Sequence, residues 1–363
     1  MKGKVDKLEL SEIQKKVVEA KEPYVLVNSC AGSGKTRTLS ERVKYLLKNG
    51  VRADKIVVIT FTNAAAETMM GRIGEVPGLQ CSTVHSYANR LLLSYGIDTS
   101  KILNDEKFDK LFSLVKKNPD CVQKVEYLLL DEGQDSTPQQ FEFMLDIVNP
   151  EHWMIFSDHR QSIYGFANAY PEYIIDLIHN PKVAVYDLNE NYRNAPEILD
   201  YAKNIIRQLG SDHEDKSISM NNKSRGRVVD VEYSADGIVS TIKRYVAEGK
   251  SIYSDWFILT RTNAESEMIM KALMRHNIPH DTFKKAQLDS KGLEGKMKEN
   301  TVKVLTIHTA KGLEANNVIV IGARWNDAEE RRVNYVAATR ARDLLVWTRR
   351  AAPRKRQVTH WGG

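Results

Sequence analysis

An apolar run, Tyr24-Val25-Leu26-Val27, leads directly into Ser29-Cys30-Ala31-Gly32-Ser33-Gly34-Lys35-Thr36. This restricts the fold more than any other stretch: a buried strand must end in a glycine turn that opens a helix. Gly32 and Gly34 let the backbone bend so that the N–H groups from Ala31 to Thr36 point at phosphate oxygens. Lys35 is expected to reach the β- and γ-phosphates, and the Thr36 hydroxyl to bind Mg²⁺. The following helix adds the positive end of its dipole. Ser29 stands where the full G-x-x-x-x-G-K-[ST] pattern has glycine. The expected ligands are a nucleoside triphosphate and its Mg²⁺.

The rest of the chain fits a parallel α/β fold. Short Val/Ile/Leu-rich runs recur at Ile56–Thr60, Tyr127–Leu130, Trp153–Phe156, Val183–Leu188, Val228–Val231, Trp256–Leu259, Val302–Ile307, Val318–Ile321 and Leu344–Thr348. Helix-like segments lie between many of them: Arg37–Leu47, Ala64–Ile73, Pro138–Val148, Ala195–Leu209 and Ala264–His276. Apolar runs without alternation, separated by helices, predict doubly wound parallel sheets buried on both faces. The 363 residues suffice for two such domains. The polar segments Gly210–Arg227 and Phe283–Asn300 read as linkers.

Composition narrows the class. Net charge is +6, too mild to prove a polyanion partner, although basic residues gather at Arg349-Arg350 and Arg354-Lys355-Arg356. No apolar stretch approaches the ~20 residues of a membrane span, and the N-terminus has no apolar leader core. Three cysteines without ligand spacing read as reduced thiols of a cytoplasmic protein, with Cys30 a small buried filler.

A second chemical signal is Asp131-Glu132-Gly133-Gln134-Asp135, at the end of the run Tyr127–Leu130. A carboxylate at a strand tip facing a phosphate loop can hold Mg²⁺, the role expected of Asp131; Glu132 is placed to polarise water as general base.

With these two segments the chain resembles the superfamily-1 helicases of the UvrD/Rep/PcrA group. Further segments match the family's motifs in order: Leu10–Gln14, Thr60–Ala66, Ser82–Ser86, Ser157–Phe166, Asn189–Arg193, Thr306–Glu314 and Glu329–Ala341. The resemblance implies two RecA-like domains with an ATP cleft between them, at 1–187 and 188–363, and a reduced helical insertion at 87–126. It implies that Gln14 reads adenine, Tyr192 stacks on it, Arg37 lies near the nucleotide and Glu314 contacts ribose or phosphates. Arg193 and Arg340 become γ-phosphate contacts, and Gln161 the sensor joining that state to DNA. Phe61, Tyr164 and Phe166 are the expected base-stacking residues, with Asn63, Thr83, His85 and His308 contacting phosphates or bases.

Departures from the family pattern are Ala64 for Lys, Gly133 for Phe, and Ala167-Asn168 for Arg-Gly. The first and last remove expected positive DNA contacts. The family's larger insertions are expected to be mostly missing, leaving a compact motor of a size that suits a phage-encoded enzyme.

The resulting expectation is an ATP hydrolase and DNA helicase moving 3′-to-5′ on single-stranded DNA or a 3′-tailed duplex, with replication or repair proteins as partners. The alternatives are a translocase needing a partner to unwind, and a non-catalytic nucleic-acid-binding module. Retention of Lys35, Thr36, Asp131, Glu132, Arg193 and Arg340 argues against the last.

Overall fold

The computed structural model describes residues 9–221, 225–283 and 288–349. The C-terminal basic residues from Arg350 onward lie outside them. The chain forms two compact units. The first holds the residues up to Arg193, Ile206–Asn221 and the described part of 285–296; the second holds Asn194–Ile205, the described part of 222–284 and the chain from Met297.

The first unit carries six parallel strands: β1 (Tyr24–Ser29), β2 (Ile56–Ile59), β3 (Gln80–Ser82), β4 (Tyr127–Leu130), β5 (His152–Ser157) and β6 (Ala184–Leu188), in the order β3-β2-β4-β5-β1-β6. Alternate side chains feed two separate cores. Leu26, Ile59, Leu128 and Ile155 pack on one face; Val25, Val58, Leu129 and Phe156 pack on the other. β2 is buried at every position, the outcome predicted for an apolar run without alternation.

A small pair, β7 (Glu190–Asn191) with β8 (Ile218–Ser219), follows. The second unit has β9 (Arg227–Glu232), β10 (Trp256–Thr260), β11 (His280–Asp281), β12 (Val302–Thr306), β13 (Ala315–Ile321) and β14 (Ala341–Arg349), also all parallel, in the order β11-β12-β10-β13-β14-β9.

Threonines at strand ends start the helices. Thr62, Thr83 and Thr262 accept from the backbone N–H groups of Ala65, Ser86 and Glu265, opening Asn63–Ile73, Val84–Ser94 and Asn263–Arg275.

Some expectations change. Gly210–Arg227 is not a linker throughout: Asp215 and Ser217 are buried, and Ile206–Asn221 packs with the first unit. Asp215 lies 3.5 Å from the buried Arg160 guanidinium, so the segment's polar composition misleads. The segment 283–300 contains a helix, Ser290–Lys298, and Ser290 N–H donates to Glu67 Oε2 at 2.9 Å. After Glu106, whose left-handed φ of 55° no helix accommodates, the next helix runs Lys110–Lys117. The first passage out of unit one falls after Arg193, beyond the expected 187, because β7 stays with the first sheet's loops.

Candidate nucleotide and nucleic-acid sites

The first unit gathers its chemistry at the C-terminal ends of its parallel strands, where such sheets bind ligands. β1 ends in the phosphate loop. Gly32 and Gly34 have φ of 68° and 79°, in the left-handed region the turn requires. Gly32 is also closed to any larger residue, since a Cβ there would lie 2.6 Å from Arg193 Cβ.

Ser29, the departure from the loop pattern, is built in: its hydroxyl donates to Ser157 O at 2.8 Å, joining β1 to β5. Ser33 Oγ is buried and without a hydrogen-bond partner, as suits a group awaiting a phosphate oxygen. Lys35 is the first residue of the helix Lys35–Lys48 and only 8% exposed; its Nζ lies 4.0 Å from Glu132 Oε1. Arg37, two residues further along the helix, is half-buried.

Thr36 Oγ1 donates to Asp131 Oδ2 at 3.3 Å. Burial pushes the Asp131 carboxyl up to about 7; Glu132 adds to the rise, and Lys35 and Thr36 oppose it. A buried carboxylate beside a hydroxyl fits a divalent cation, whose charge would restore ionisation. Mg²⁺ takes few protein ligands and completes its shell with phosphates and water. Among the described residues there is no group of three or more His, Cys, Asp or Glu that could hold a metal ion.

Glu132 holds a left-handed backbone (φ 54°), and Gln134 Nε2 donates to its carboxylate. Gln134 Oε1 accepts from Asp158 N–H at 2.9 Å and Ser157 Oγ at 3.1 Å. Gly133, where the family resemblance calls for Phe, has no room: a Cβ would meet Ile155 Cγ2 at 2.5 Å. Gln161 Nε2 donates to Asp158 Oδ2 at 2.7 Å. A continuous hydrogen-bonded line therefore joins Glu132 to Gln161 through Gln134 and Asp158. Burial raises the Asp158 carboxyl, but Arg160, Lys35 and Gln161 outweigh it and hold Asp158 below its ordinary value.

The segment after β6 closes over the loop. Asn191 Nδ2 donates to Ala31 O at 2.8 Å, Tyr192 N–H donates to Gly32 O at 3.0 Å, and Asn191 Oδ1 accepts from Arg193 N–H at 2.9 Å. Arg193 is thereby placed against the loop. Tyr192 is 39% exposed, its hydroxyl donating to Glu190 Oε2 at 2.8 Å.

Gln14 has both ends of its amide engaged: Nε2 donates to Ser33 O at 3.0 Å and Oε1 accepts from Ser11 N–H at 3.1 Å. Here it braces the loop, so reading a base requires exchanging one of these bonds. Cys30 is fully buried, and burial, with Asp215 adding, pushes its thiol up to about 12. It is a filler, not a reactive thiolate.

Of the predicted ATP residues, Glu314 and Arg340 belong to the second unit. Arg340 is 1% exposed, its Nε donating to Val336 O at 2.9 Å and one terminal nitrogen to Leu313 O at 3.2 Å. Glu314 Oε1 accepts from Arg342 at 2.7 Å.

The residues expected to meet DNA divide by setting. Phe61, after β2, and Tyr164 stack with centroids 5.1 Å apart, and Tyr164 meets Phe166 edge-on at 5.8 Å. Phe61 and Phe166 are 44% and 74% exposed, a rare concentration of bare aromatic surface. Asn63 is exposed at the start of its helix. Thr83 spends its hydroxyl on capping, donating to Ser86 Oγ at 2.9 Å. His85 stacks on Phe112 at 5.0 Å and lies 3.2 Å from Asp109 Oδ1. His308 is half-buried in the short helix Ile307–Ala310. Ala64 is buried, whereas Ala167 and Asn168 are exposed.

Gln134, Asp158, Arg160 and Asn191 were missed from the sequence as site residues. All four lie inside matched motifs, so position could have flagged them; their partners, distant in sequence, could not.

The comparisons with known proteins agree with this geometry. Residues 10–118 and 107–182 match the UvrD/REP helicase N-terminal domain; residues 186–291 and 283–350 match the UvrD-like helicase C-terminal domain. A Mycoplasma pneumoniae protein described as a probable DNA helicase is 24% identical over 93% of this chain and 82% of its own length. The ATP-dependent DNA helicase Rep of Escherichia coli is 26% identical over 75% of this chain, and the PcrA helicase of Staphylococcus epidermidis 25% over 74%. The alignments cover 55% of that Rep and 50% of that PcrA, about half of each. No helix among the described residues is long and apolar enough to cross a membrane. With both domain families matched in order along the chain, it belongs to the UvrD/Rep/PcrA-like superfamily-1 helicases.

Proposed function

We propose that this chain is an ATP-dependent DNA helicase that moves 3′-to-5′ on single-stranded DNA. The observation that carries the reading is the convergence, at one sheet edge, of the loop Ala31–Thr36, the Thr36–Asp131 pair and Glu132 beside Lys35. Lys35 neutralises the β- and γ-phosphates, and Thr36 and Asp131 would hold Mg²⁺, which would offset phosphate charge. Glu132 takes the proton of the attacking water while Gln134 orients its carboxylate. Arg193 supplies positive charge to the γ-phosphoryl oxygens. Gln161 reports the state of that phosphate through Asp158, and the nearby aromatics Phe61, Tyr164 and Phe166 grip bases by stacking.

A translocase that needs a partner to open duplex is the second reading, favoured by Ala64 and Ala167 standing where the family pattern has positive DNA contacts. Strand displacement on 3′-tailed, 5′-tailed and blunt duplexes, beside streptavidin displacement from single strands, separates them. ATP-dependent opening of the 3′-tailed duplex alone is expected. Streptavidin displacement without opening selects the second reading, and activity on neither substrate overturns both.

A further inference from the structure

The chain leaves the first unit after Arg193, returns at Ile206 and leaves again after Asn221. Both exits are tied to the phosphate loop. The first is held by the bonds of Asn191 and Tyr192 to Ala31 and Gly32. The second is held through β8, where the N–H groups of Ile218 and of the following Met220 donate to Asn189 O and Asn191 O at 2.7 Å each, and by Asn221 Nδ2, which donates to Arg193 O at 2.9 Å.

One buried side chain joins this return segment to the floor of the site. Arg160, 2% exposed, donates from Nε to Asp158 Oδ1 at 2.7 Å and from one terminal nitrogen to Ser29 O at 2.8 Å. Its other terminal nitrogen donates to Glu214 O at 3.2 Å and lies 3.5 Å from Asp215 Oδ1. The planar fork thus spans the strand end that becomes the phosphate loop, the carboxylate that accepts from Gln161, and the return segment. A lysine ammonium is a single point and cannot meet all three. His159 reinforces the junction, its Nε2–H donating to Asp212 O at 2.9 Å.

We propose that Arg160 is a positioning residue that fixes Gln161 through Asp158 and transmits movement of the phosphate loop into the return segment Ile206–Asn221, from which the chain departs to the second unit. This rests on the reading of the loop as an ATP site. Segments coupled in this way change their local opening together.

The test is amide hydrogen exchange on the full chain, with and without a non-hydrolysable ATP analogue and Mg²⁺, for wild type, Arg160→Lys and Asp215→Asn. Calorimetry on the same samples follows analogue binding, and melting curves establish folding; Asp215→Asn carries the test should Arg160→Lys not fold. Expected is slowing of exchange at 212–219 in wild type by about fivefold or more, lost in the folded variants. The DNA-stimulated kcat of the variants should fall about tenfold with ATP KM within about twofold. Equal protection in wild type and variants, or binding without protection in wild type, overturns the proposal. Absence of analogue binding removes the ATP reading and this proposal together. Protection without any hydrolysis by wild type counts against the helicase reading alone.

Discussion

The two units repeat one piece of sequence in one structural place, with opposite results. β2 runs into Thr60-Phe61-Thr62-Asn63 and β10 ends with Thr260-Arg261-Thr262-Asn263, and in each the second threonine caps the next helix. In the first unit the residue between the threonines is Phe61, exposed and stacked on Tyr164. In the second it is Arg261, whose Nε and terminal nitrogen grip Glu330 at 2.8 Å each. Neighbouring loops diverge likewise. The first unit has a glycine loop, a buried lysine and two acids. In the second, Glu265 caps its helix and occupies the space over Gly322, where a Cβ would lie 2.2 Å from Glu265 Oε1. The framework fixes where side chains are presented; the residues presented decide whether the edge works on a ligand or holds itself together.

Breaking the first edge should cost the most. Lys35→Ala removes the cation aimed at the phosphates and should lower kcat for ATP hydrolysis by about 10³-fold, measured by phosphate release, with the melting temperature little changed.

Next comes a pH effect. Burial, with Arg160 adding, depresses His159 to about 4 from an ordinary 6.5. The unfolded chain therefore binds the proton more readily, and stability present above about pH 6.5 is lost as pH falls toward 4, by up to about 3 kcal/mol. Denaturant melts across this range should show His159→Gln losing less stability than wild type. Asp131 titrates in both proteins, so the difference isolates His159.

The paired loop residues give the smaller effects. Arg261→Ala leaves Glu330 nearly buried without its partner and should destabilise the chain by about 2 kcal/mol in denaturant melts. Phe61→Ala should leave melting nearly unchanged and weaken single-stranded DNA binding by about 1–2 kcal/mol, read by fluorescence anisotropy, with ATP KM unaffected. A reversal of these two would break the comparison.

The long apolar strands were legible because burial on both faces writes itself into composition; Tyr127–Leu130 matches β4 residue for residue. The short strands β3, β7, β8 and β11 were not, since two or three residues carry no period and their pairing is set by distant neighbours. The phosphate loop and Asp131-Glu132 were legible because their chemistry is local in sequence. Arg160 lies inside the matched segment Ser157–Phe166, but its role was not legible, because its partners Ser29 and Asp215 lie far along the chain and no spacing announces them. Gln14 shows the converse: its motif was plain, but only the structure shows that its amide braces Ser33.

The central claim is that Glu132 serves a hydrolytic site coupled to DNA. ATP hydrolysis by wild type and Glu132→Gln, with and without single-stranded DNA, tests it most directly when nucleotide binding is measured alongside. The account predicts DNA-stimulated hydrolysis in wild type, and in Glu132→Gln a rate lower by about 10²-fold or more with ATP still bound. Hydrolysis indifferent to DNA, or a Glu132→Gln rate equal to wild type, would contradict it.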